Sequence, residues 1–405
     1  MPNLSNPVRL SLASAATFAL VAVGMPFWPL WLTAHGVTPQ GIGILIAVTN
    51  LVRVAAGPLF SYVADHTGDR RAPFIWLSLA HLVALGGFWL VGSSFWAIMF
   101  FSIVATCFAA PLMPLLGSLT MAWVERKAYD YGRIRLWGSV SFIVITMGAG
   151  FIIAPFGNES ILVLMMAMAG AMLAAGYLLP PDPRKGEPAH HQKTTLGGVI
   201  ALMTDARFIV FILASALVMA SHATYYAFGT INWERIGYST EFIGFLWALG
   251  VVVEIILFAL SGRVFRRFSP AMLTFIGCAA AVVRWTGTAF DPHWTVLILL
   301  QCLHGLTFGA VHLAVMQYLS RSVPIHLAAT AQGIYAAVSA GVFMGIASLA
   351  AGPAFEHWGA KSYLLMAALG ALGAAASVIM HRQQATTAKE NAPHESDGDT
   401  GQLRS

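Results

Sequence analysis

Three ionised side chains lie in the middle of long apolar runs. Arg53, Glu254 and Arg284 each stand near the centre of such a run. A charge at the centre of a lipid bilayer costs about 2.5–3.5 kcal/mol on insertion scales, so such a residue faces a cavity or a partner. A carboxylate removed from bulk water can bind and release protons near neutral pH. Glu254 is therefore the candidate for proton exchange, and a structural ion pair with an arginine is the alternative.

Histidines also occur within or at the edges of apolar runs. His304 and His312 are eight residues apart, which is about two helical turns and places both on one broad face. His222 lies in a separate run. Histidine titrates near neutral pH and suits a proton relay, whereas a neutral histidine hydrogen-bonded between helices is the alternative. We assign proton coupling to Glu254 and His304, and treat His222 and His312 as substrate-binding candidates.

Aromatic residues cluster in the strings PFWPLWL (26–32) and SHATYYAF (221–228). Tryptophan and tyrosine near the ends of spans are commonly interfacial anchors. Four aromatic residues lie deeper and are candidates for the walls of a binding site: Phe27, Trp28, Tyr225 and Tyr226. Pro26 and Pro29 remove backbone donors, and we expect them to break the first span.

The elements that position these residues are membrane spans. Of 405 residues, 58% are hydrophobic and only 10% are charged, whereas soluble domains carry about 25% charged residues. This composition excludes most soluble enzyme folds, nucleic-acid-binding modules and secreted disulfide scaffolds. The three cysteines show no metal-ligand spacing, so no metal or cofactor is expected.

Twelve runs are long and apolar enough to cross a membrane, which predicts an all-α polytopic membrane protein. They cover residues 10–34, 40–63, 73–92, 95–122, 134–156, 160–179, 207–231, 241–262, 270–289, 294–318, 328–353 and 360–380. We divide the chain into an N-terminal six-helix half (1–180), a flexible central loop (181–206), a C-terminal six-helix half (207–381) and a disordered tail (382–405).

The basic residues predict the orientation in the membrane. Nearly all of the 22 Lys and Arg residues fall in one set of alternate segments, and only Arg235 and Lys361 fall in the opposite set. Positive charge accumulates on the cytoplasmic side of membrane proteins, so both termini are expected in the cytoplasm. The net charge of +5 then reflects topology, and no nucleic-acid partner is expected.

An internal repeat relates the two halves. Residues 36–54 align with residues 237–255 at a constant offset of 201, with identical glycines at Gly36/Gly237 and Gly43/Gly244. Repeated halves are common in transporters. In this register Arg53 of the second span overlies Glu254 of the eighth span.

Several strings resemble a known family. YGRIRLWGSVSF (131–142), SHATYYAFGTINWERIGYS (221–239), VVRW (282–285) and LHGLTFGAVHLAVMQY (303–318) resemble the phenylpropionate permeases. These permeases belong to the oligosaccharide:proton symporter-like branch of the major facilitator superfamily. The loop ADHTGDRR (64–71) is a degenerate form of the gating loop of that superfamily, with Asp65, Gly68 and Arg70 at matching positions.

The resemblance implies a set of functional residues. In the related lactose permease, a fifth-helix arginine, an eighth-helix glutamate, a ninth-helix arginine and a tenth-helix histidine are functional. Here these positions fall on Arg135, Glu254, Arg284 and His304. Two carboxylates of that permease are replaced by Gly117 and Thr307, which disfavours a galactoside substrate. The excess of arginine (Arg53, Arg135 and Arg284) over Glu254 suits an anionic substrate, because a guanidinium pairs bidentately with a carboxylate.

The expected function is therefore proton-coupled import of a small aromatic carboxylate, such as 3-phenylpropionate, by alternating access. Symport of a sugar or a nucleoside is the first alternative, and a drug:proton efflux antiporter is the second. Such antiporters usually carry an intramembrane acid in the first half, and spans one to six contain none. The expected partners are the substrate, protons and the lipid bilayer of the bacterial inner membrane, with the protein acting as a monomer and not as an enzyme.

Overall fold

The structure, a computed structural model, describes residues 4–67, 69–185, 196–324 and 327–390. Its regular elements in this part of the chain are all helical. The α-helices are α1 (Asn6–Ala34), α2 (Pro39–Thr67), α3 (Arg71–Gly86), α4 (Phe95–Ala109), α5 (Leu112–Lys127), α6 (Tyr131–Phe156), α7 (Glu159–Leu178), α8 (Leu196–Thr204), α9 (Ala206–Ala220), α10 (Ala223–Arg235), α11 (Thr240–Ala259), α12 (Ser261–Arg267), α13 (Pro270–Thr288), α14 (Trp294–Cys302), α15 (Val311–Ser322), α16 (Ala328–Ala336), α17 (Met344–Trp358) and α18 (Tyr363–Glu390).

Short non-α segments join some of these helices within one span. A 3₁₀ turn, Gly87–Leu90, extends α3. A π-helical segment, Gly305–Ala310, joins α14 to α15, and a second one, Ala337–Phe343, joins α16 to α17. In the seventh span, α9 and α10 are separated only by Ser221 and His222. Two of these interruptions of the α-helical geometry contain or adjoin candidate residues, His222 and His304.

Eleven stretches of the described chain are long and apolar enough to cross a membrane. The last stretch, Thr330–Met380, has 51 residues and would be about 76 Å long as one helix, against about 30 Å of hydrocarbon. A 3₁₀ turn at Gly359–Ser362, with Gly359 at φ +55°, divides it. This stretch therefore contains two crossings, and the predicted fold of twelve membrane helices is confirmed.

The repeat appears in the structure as two equivalent turns. Gly36, between α1 and α2, has φ +78°, and Gly237, between α10 and α11, has φ +92°. Their amides donate to Thr33 and Glu234 respectively, at 3.0 and 2.9 Å. Only glycine adopts this left-handed region at little cost. The same offset of 201 residues therefore relates the glycines, their hydrogen-bond acceptors and the starts of α2 and α11.

The first span is unbroken, contrary to the expectation from its prolines. Helix α1 runs through Pro26 and Pro29 without interruption. Pro26 has no N–H to donate to the Ala22 carbonyl. The Thr146 hydroxyl of α6 donates to that carbonyl instead, at 2.8 Å. A tertiary hydrogen bond therefore satisfies the acceptor that the proline leaves free.

Two predicted boundaries also differ from the structure. The central loop, expected to be flexible over 181–206, contains α8, an apolar helix that ends beside Asp205, the N-cap residue of α9. The tail was expected from 382, but α18 continues to Glu390 through residues of good helix propensity. Residues 186–195 and 391–405 lie outside the described parts of the chain.

The two halves pack closely through glycines at one end. A Cβ atom on Gly43 of α2 would lie 2.6 Å from the carbonyl oxygen of Ser348 on α17. A Cβ atom on Gly244 of α11 would lie 2.7 Å from the carbonyl oxygen of Thr146 on α6. These two contacts are related by the repeat. Both involve the starts of α2 and α11, on the side that carries few basic residues. The structure is therefore closed between the halves at that end.

Candidate functional site

Arg284 of α13 is the centre of a buried polar network. Its side chain is fully buried, and its guanidinium donates to Gln301 Oε1 at 2.7 Å and to Thr307 Oγ1 at 3.0 Å. A further N–H donates to His304 Nδ1 at 3.1 Å. All three acceptors are neutral groups of the tenth span. Over the described chain, no carboxylate forms an ion pair with this arginine.

The hydrogen bonds assign the protonation of both histidines. His304 accepts from Arg284 at Nδ1, so its proton lies on Nε2. His222 Nδ1 donates to the Val218 carbonyl at 3.1 Å, and its Nε2 accepts from the Thr307 hydroxyl at 3.1 Å. A second proton on either ring would have to displace one of these donors beside a buried guanidinium. The network therefore holds both histidines neutral.

Glu254 of α11 lies at the open edge of this network. Its carboxylate Oε2 is 4.0 Å from His304 Nε2, and its side chain is 21% exposed. Because the Nε2 atom carries the ring proton, its N–H is available to the carboxylate. Glu254 also interacts electrostatically with Arg135 of the other half. The acid thus has a buried neutral donor of its own half at 4.0 Å and an electrostatic interaction with a cationic side chain of the other half.

The aromatic residues of the seventh span close the network on one side. Tyr225 stacks on Trp247 with ring centroids 4.4 Å apart, and the Arg284 guanidinium lies over Tyr225 at 4.8 Å and over Trp285 at 4.3 Å. Tyr225, Trp247 and Trp285 are each less than 5% exposed. Tyr226 stacks on His222 at 5.5 Å. This aromatic box is filled by its own rings.

Arg135 of α6 borders a cavity of about 270 Å³ in the N-terminal half. Its guanidinium lies 3.8 Å from the centre of the Phe18 ring of α1. Among the described residues, no hydrogen bond or ion pair engages it. Arg135 lies 15 residues before Gly150 on α6, which is about 22 Å along the helix axis. It is therefore far from the end at which the halves close.

Several predicted residues lie outside this group. Arg53 of α2 is exposed, and no ion pair joins it to the described part of the protein. Trp28 stacks on Trp31 at 4.5 Å and packs against Phe88, and Phe27 is fully buried. His312 lies one turn beyond the network, with its ring parallel to that of Phe308 at 6.3 Å. The structure brings together Glu254, His304, Arg284, His222, Tyr225 and Tyr226, with Arg135 opposite.

The predicted gating loop is anchored to the segment after the sixth span. The backbone N–H and the guanidinium of Arg70 both donate to Asp182 Oδ2, at 3.0 and 3.1 Å. Burial by itself would raise the pKa of neighbouring Asp69, but Lys185 and two backbone amides hold that pKa below its ordinary value. Gly68 and the side chain of Asp65 lie outside the described residues.

Sequence reasoning missed several members of the site. Gln301, Trp247 and Trp285 are uncharged and stand in apolar runs, where polar and aromatic residues are common. Phe18 also stands in an apolar run, so its sequence context did not distinguish it as a site residue. Gln301 could have been found from its position three residues before His304, since residues at this spacing share a helix face.

The comparisons with known proteins agree with the fold. The sequence model of the MFS_1 like family matches residues 8–366. A probable 3-phenylpropionic acid transporter of Escherichia coli (strain K12) is 32% identical over 364 residues, covering 88% of this chain and 93% of that protein. A maltose permease of Geobacillus stearothermophilus is 25% identical over 86% of this chain and 88% of its own length. The crystal structure of the nucleoside transporter NupG superposes with a TM-score of 0.81, at 15% identity, over 93% of this chain and 99% of that one.

Proposed function

The chain belongs to the MFS_1 like family and is a secondary transporter with the major facilitator fold, and from this premise we propose that it imports a small aromatic carboxylate together with protons. The relative that is 32% identical is named as a probable 3-phenylpropionic acid transporter, which supports 3-phenylpropionate as the first substrate to test. Its distribution of basic residues supports placing both termini in the cytoplasm, and we assign it to the bacterial cytoplasmic membrane as a monomer.

One observation carries the proposal: Arg135 has no ion-pair partner within the described chain and lies beside a small cavity, across the interface from Glu254. A guanidinium in this setting is suited to bind a carboxylate. The cavity is slightly smaller than the roughly 300–1,000 Å³ typical of sites for drug-sized ligands. A one-ring carboxylate fits these dimensions better than a disaccharide.

The mechanism follows from competition for Arg135. When Glu254 is ionised, its carboxylate and the substrate carboxylate both attract the same guanidinium. A proton on Glu254 removes one competitor, so substrate binding and protonation favour each other. His304 keeps its Nδ1 bonded to Arg284 and offers its Nε2–H to Glu254. We therefore assign the transported proton to Glu254 and a hydrogen-bonding role to His304.

Alternating access would then move this site between the two sides of the membrane. The halves rock about the midplane, and the glycine contacts between α2 and α17 and between α6 and α11 are the closure at one end. Each of these two contacts joins one helix of the N-terminal half to one helix of the C-terminal half. Arg284 and its neutral partners fix the shape of the C-terminal half beside Glu254.

The test is uptake into proteoliposomes under an imposed pH gradient. Glu254→Gln should abolish uphill accumulation of 3-phenylpropionate and leave counterflow exchange intact, because the variant mimics the protonated acid. Glu241→Gln, on the same helix but about 20 Å away, is the matched control and should behave as the wild-type protein. Proton-driven accumulation by Glu254→Gln at the wild-type level would refute the assignment.

The same assay tests the substrate class. Aryl carboxylates, sugars and nucleosides are compared at equal concentration in the wild-type protein. We expect inhibition of 3-phenylpropionate uptake by aryl carboxylates only. Proton-driven uptake of a sugar or a nucleoside without uptake of any aryl carboxylate would replace the proposed substrate class.

A further inference from the structure

The cavity beside Arg135 has an apolar side and a cationic edge. It lies between α1, α5 and α6 and has a volume of about 270 Å³. Its lining includes Phe18 of α1, Leu116 and Gly117 of α5, and Ile134 and Arg135 of α6. The apolar side chains of the lining are suited to contact an aryl ring, because they offer contact area and no competing hydrogen-bond donors. The cationic edge suits a carboxylate.

The part of the cavity lining that α5 contributes includes a glycine, Gly117, which lies beside free space. A Cβ atom added to Gly117 would meet no atom within 4 Å. At Gly138 on α6, by contrast, a Cβ atom would lie 2.8 Å from the Phe18 ring. Gly138 is therefore needed for helix packing, whereas Gly117 leaves its volume to the cavity.

The other aromatic surface offers no comparable space. Tyr225 stacks on Trp247 and packs at a tilt against Trp285, Arg284 lies over Tyr225 and Trp285, and all three rings are almost completely buried. An aryl group could enter this box only by displacing one of its own rings. The N-terminal cavity needs no such displacement, since it is already open.

We propose that Gly117 determines substrate size: it opens a subsite in the N-terminal half for the aryl ring of a carboxylate held by Arg135. This inference rests on the proposed function. It assigns the ring to α1, α5 and α6, and leaves the aromatic residues of the seventh span as a fixed wall around Arg284. A larger residue at position 117 would fill the subsite and exclude the ring.

The experiment replaces Gly117 by Ala, Val and Leu and measures uptake of 3-phenylpropionate in proteoliposomes. One methylene in an apolar pocket changes discrimination by about 10–200-fold. We expect KM to rise about tenfold for Gly117→Ala and further with side-chain volume, with Vmax less affected. The same series at Gly170 of α7, which also has no atom within 4 Å of an added Cβ and does not line the cavity, should retain the wild-type KM.

A KM within about threefold of wild type for a well-folded Gly117→Leu variant would overturn the inference. Absence of aryl carboxylate uptake by the wild-type protein would instead refute the proposed function, so the two failures are distinguishable. Gly117→Cys keeps the test valid if the larger variants do not fold. Its alkylation by N-ethylmaleimide, read by peptide mass spectrometry, should slow several-fold with 3-phenylpropionate, while that of Lys127→Cys at the end of α5 should not. Equal alkylation of Gly117→Cys with and without the ligand, in a variant that still transports it, would also overturn the inference.

Discussion

Arg284 is buried without an acidic partner in the described chain, so neutral hydrogen-bond acceptors must stabilise its positive charge. Gln301, Thr307 and His304 accept its hydrogen bonds, and two aromatic faces lie over its charge. A buried charge that loses its solvation shell is costly unless hydrogen bonds replace the lost water. Here they engage both terminal nitrogens of the guanidinium, while its Nε–H has no partner in the described chain. Thr307 contributes twice, because its hydroxyl accepts from Arg284 and donates to His222.

We predict that Thr307→Val destabilises the protein by about 1–3 kcal/mol, the usual cost of leaving a buried polar group unpaired. The side chains have the same shape, so the packing is retained. Thr274→Val on α13 is the control, because the Thr274 hydroxyl is equally buried but bonds only to Pro270 of its own helix. The measurement is the apparent Tm in detergent. Equal Tm values for the two variants would contradict the role assigned to Thr307.

At the scale of residues, the sequence predicted charged members of the site better than neutral ones. Glu254 and Arg284 stand out because charges are rare in apolar spans, and the structure places both beside His304. Gln301 and Trp247 carry no such signal. The neighbours of Trp28 could not be predicted either, because its contact with Phe88 joins α1 to the turn after α3, which no local pattern encodes.

At the scale of elements, the contact of α6 with α11 depends on the absence of a side chain. A Cβ atom on Gly150 would collide with the backbone of Thr240, whose hydroxyl donates to the Gly150 carbonyl at 3.0 Å. Gly352 of α17 holds the equivalent position against Pro39 of α2. A side chain at either glycine would separate the two halves at this end.

We predict that Gly150→Leu shifts the protein toward a conformation that is open at this end and slows transport strongly. Gly148→Leu on the same helix is the control, because an added Cβ there meets no atom within 4 Å. The distance between spin labels at positions 156 and 290, measured by electron paramagnetic resonance with the native cysteines replaced, should increase only in Gly150→Leu. An unchanged distance would show that the glycine contact does not control closure.

The helices themselves were largely predictable, because long apolar runs have few alternatives in a membrane. Two features were not. The continuity of α1 through its prolines depends on Thr146, which lies 124 residues after its acceptor Ala22 in the sequence. Helix α8 is short and lies in a segment that was expected to be a loop from its prolines and charges, and its apolar residues gave too short a pattern to separate from a linker.

At the scale of the whole molecule, the charge distribution predicts the orientation. We expect Thr295→Cys to react with a membrane-impermeant maleimide in intact cells, because it follows a segment with few basic residues. Lys127→Cys should react only after the cells are made permeable. Both positions are exposed, so a difference in labelling reports the side of the membrane. The opposite pattern would invert the topology and the proposed direction of transport.

The hydrogen bond between the Thr146 hydroxyl and the Ala22 carbonyl has a consequence for which substitutions homologous chains tolerate. Pro26 is tolerated because a hydroxyl on another span satisfies the acceptor left free by the proline, and that hydroxyl is useful at this site only while the proline is there. Replacing Pro26 alone makes the Thr146 hydroxyl redundant, and replacing Thr146 alone leaves the Ala22 carbonyl without a donor. Both replacements together restore an ordinary helix. The two positions should therefore covary among homologous chains, and a double-mutant cycle between them should show non-additive stability.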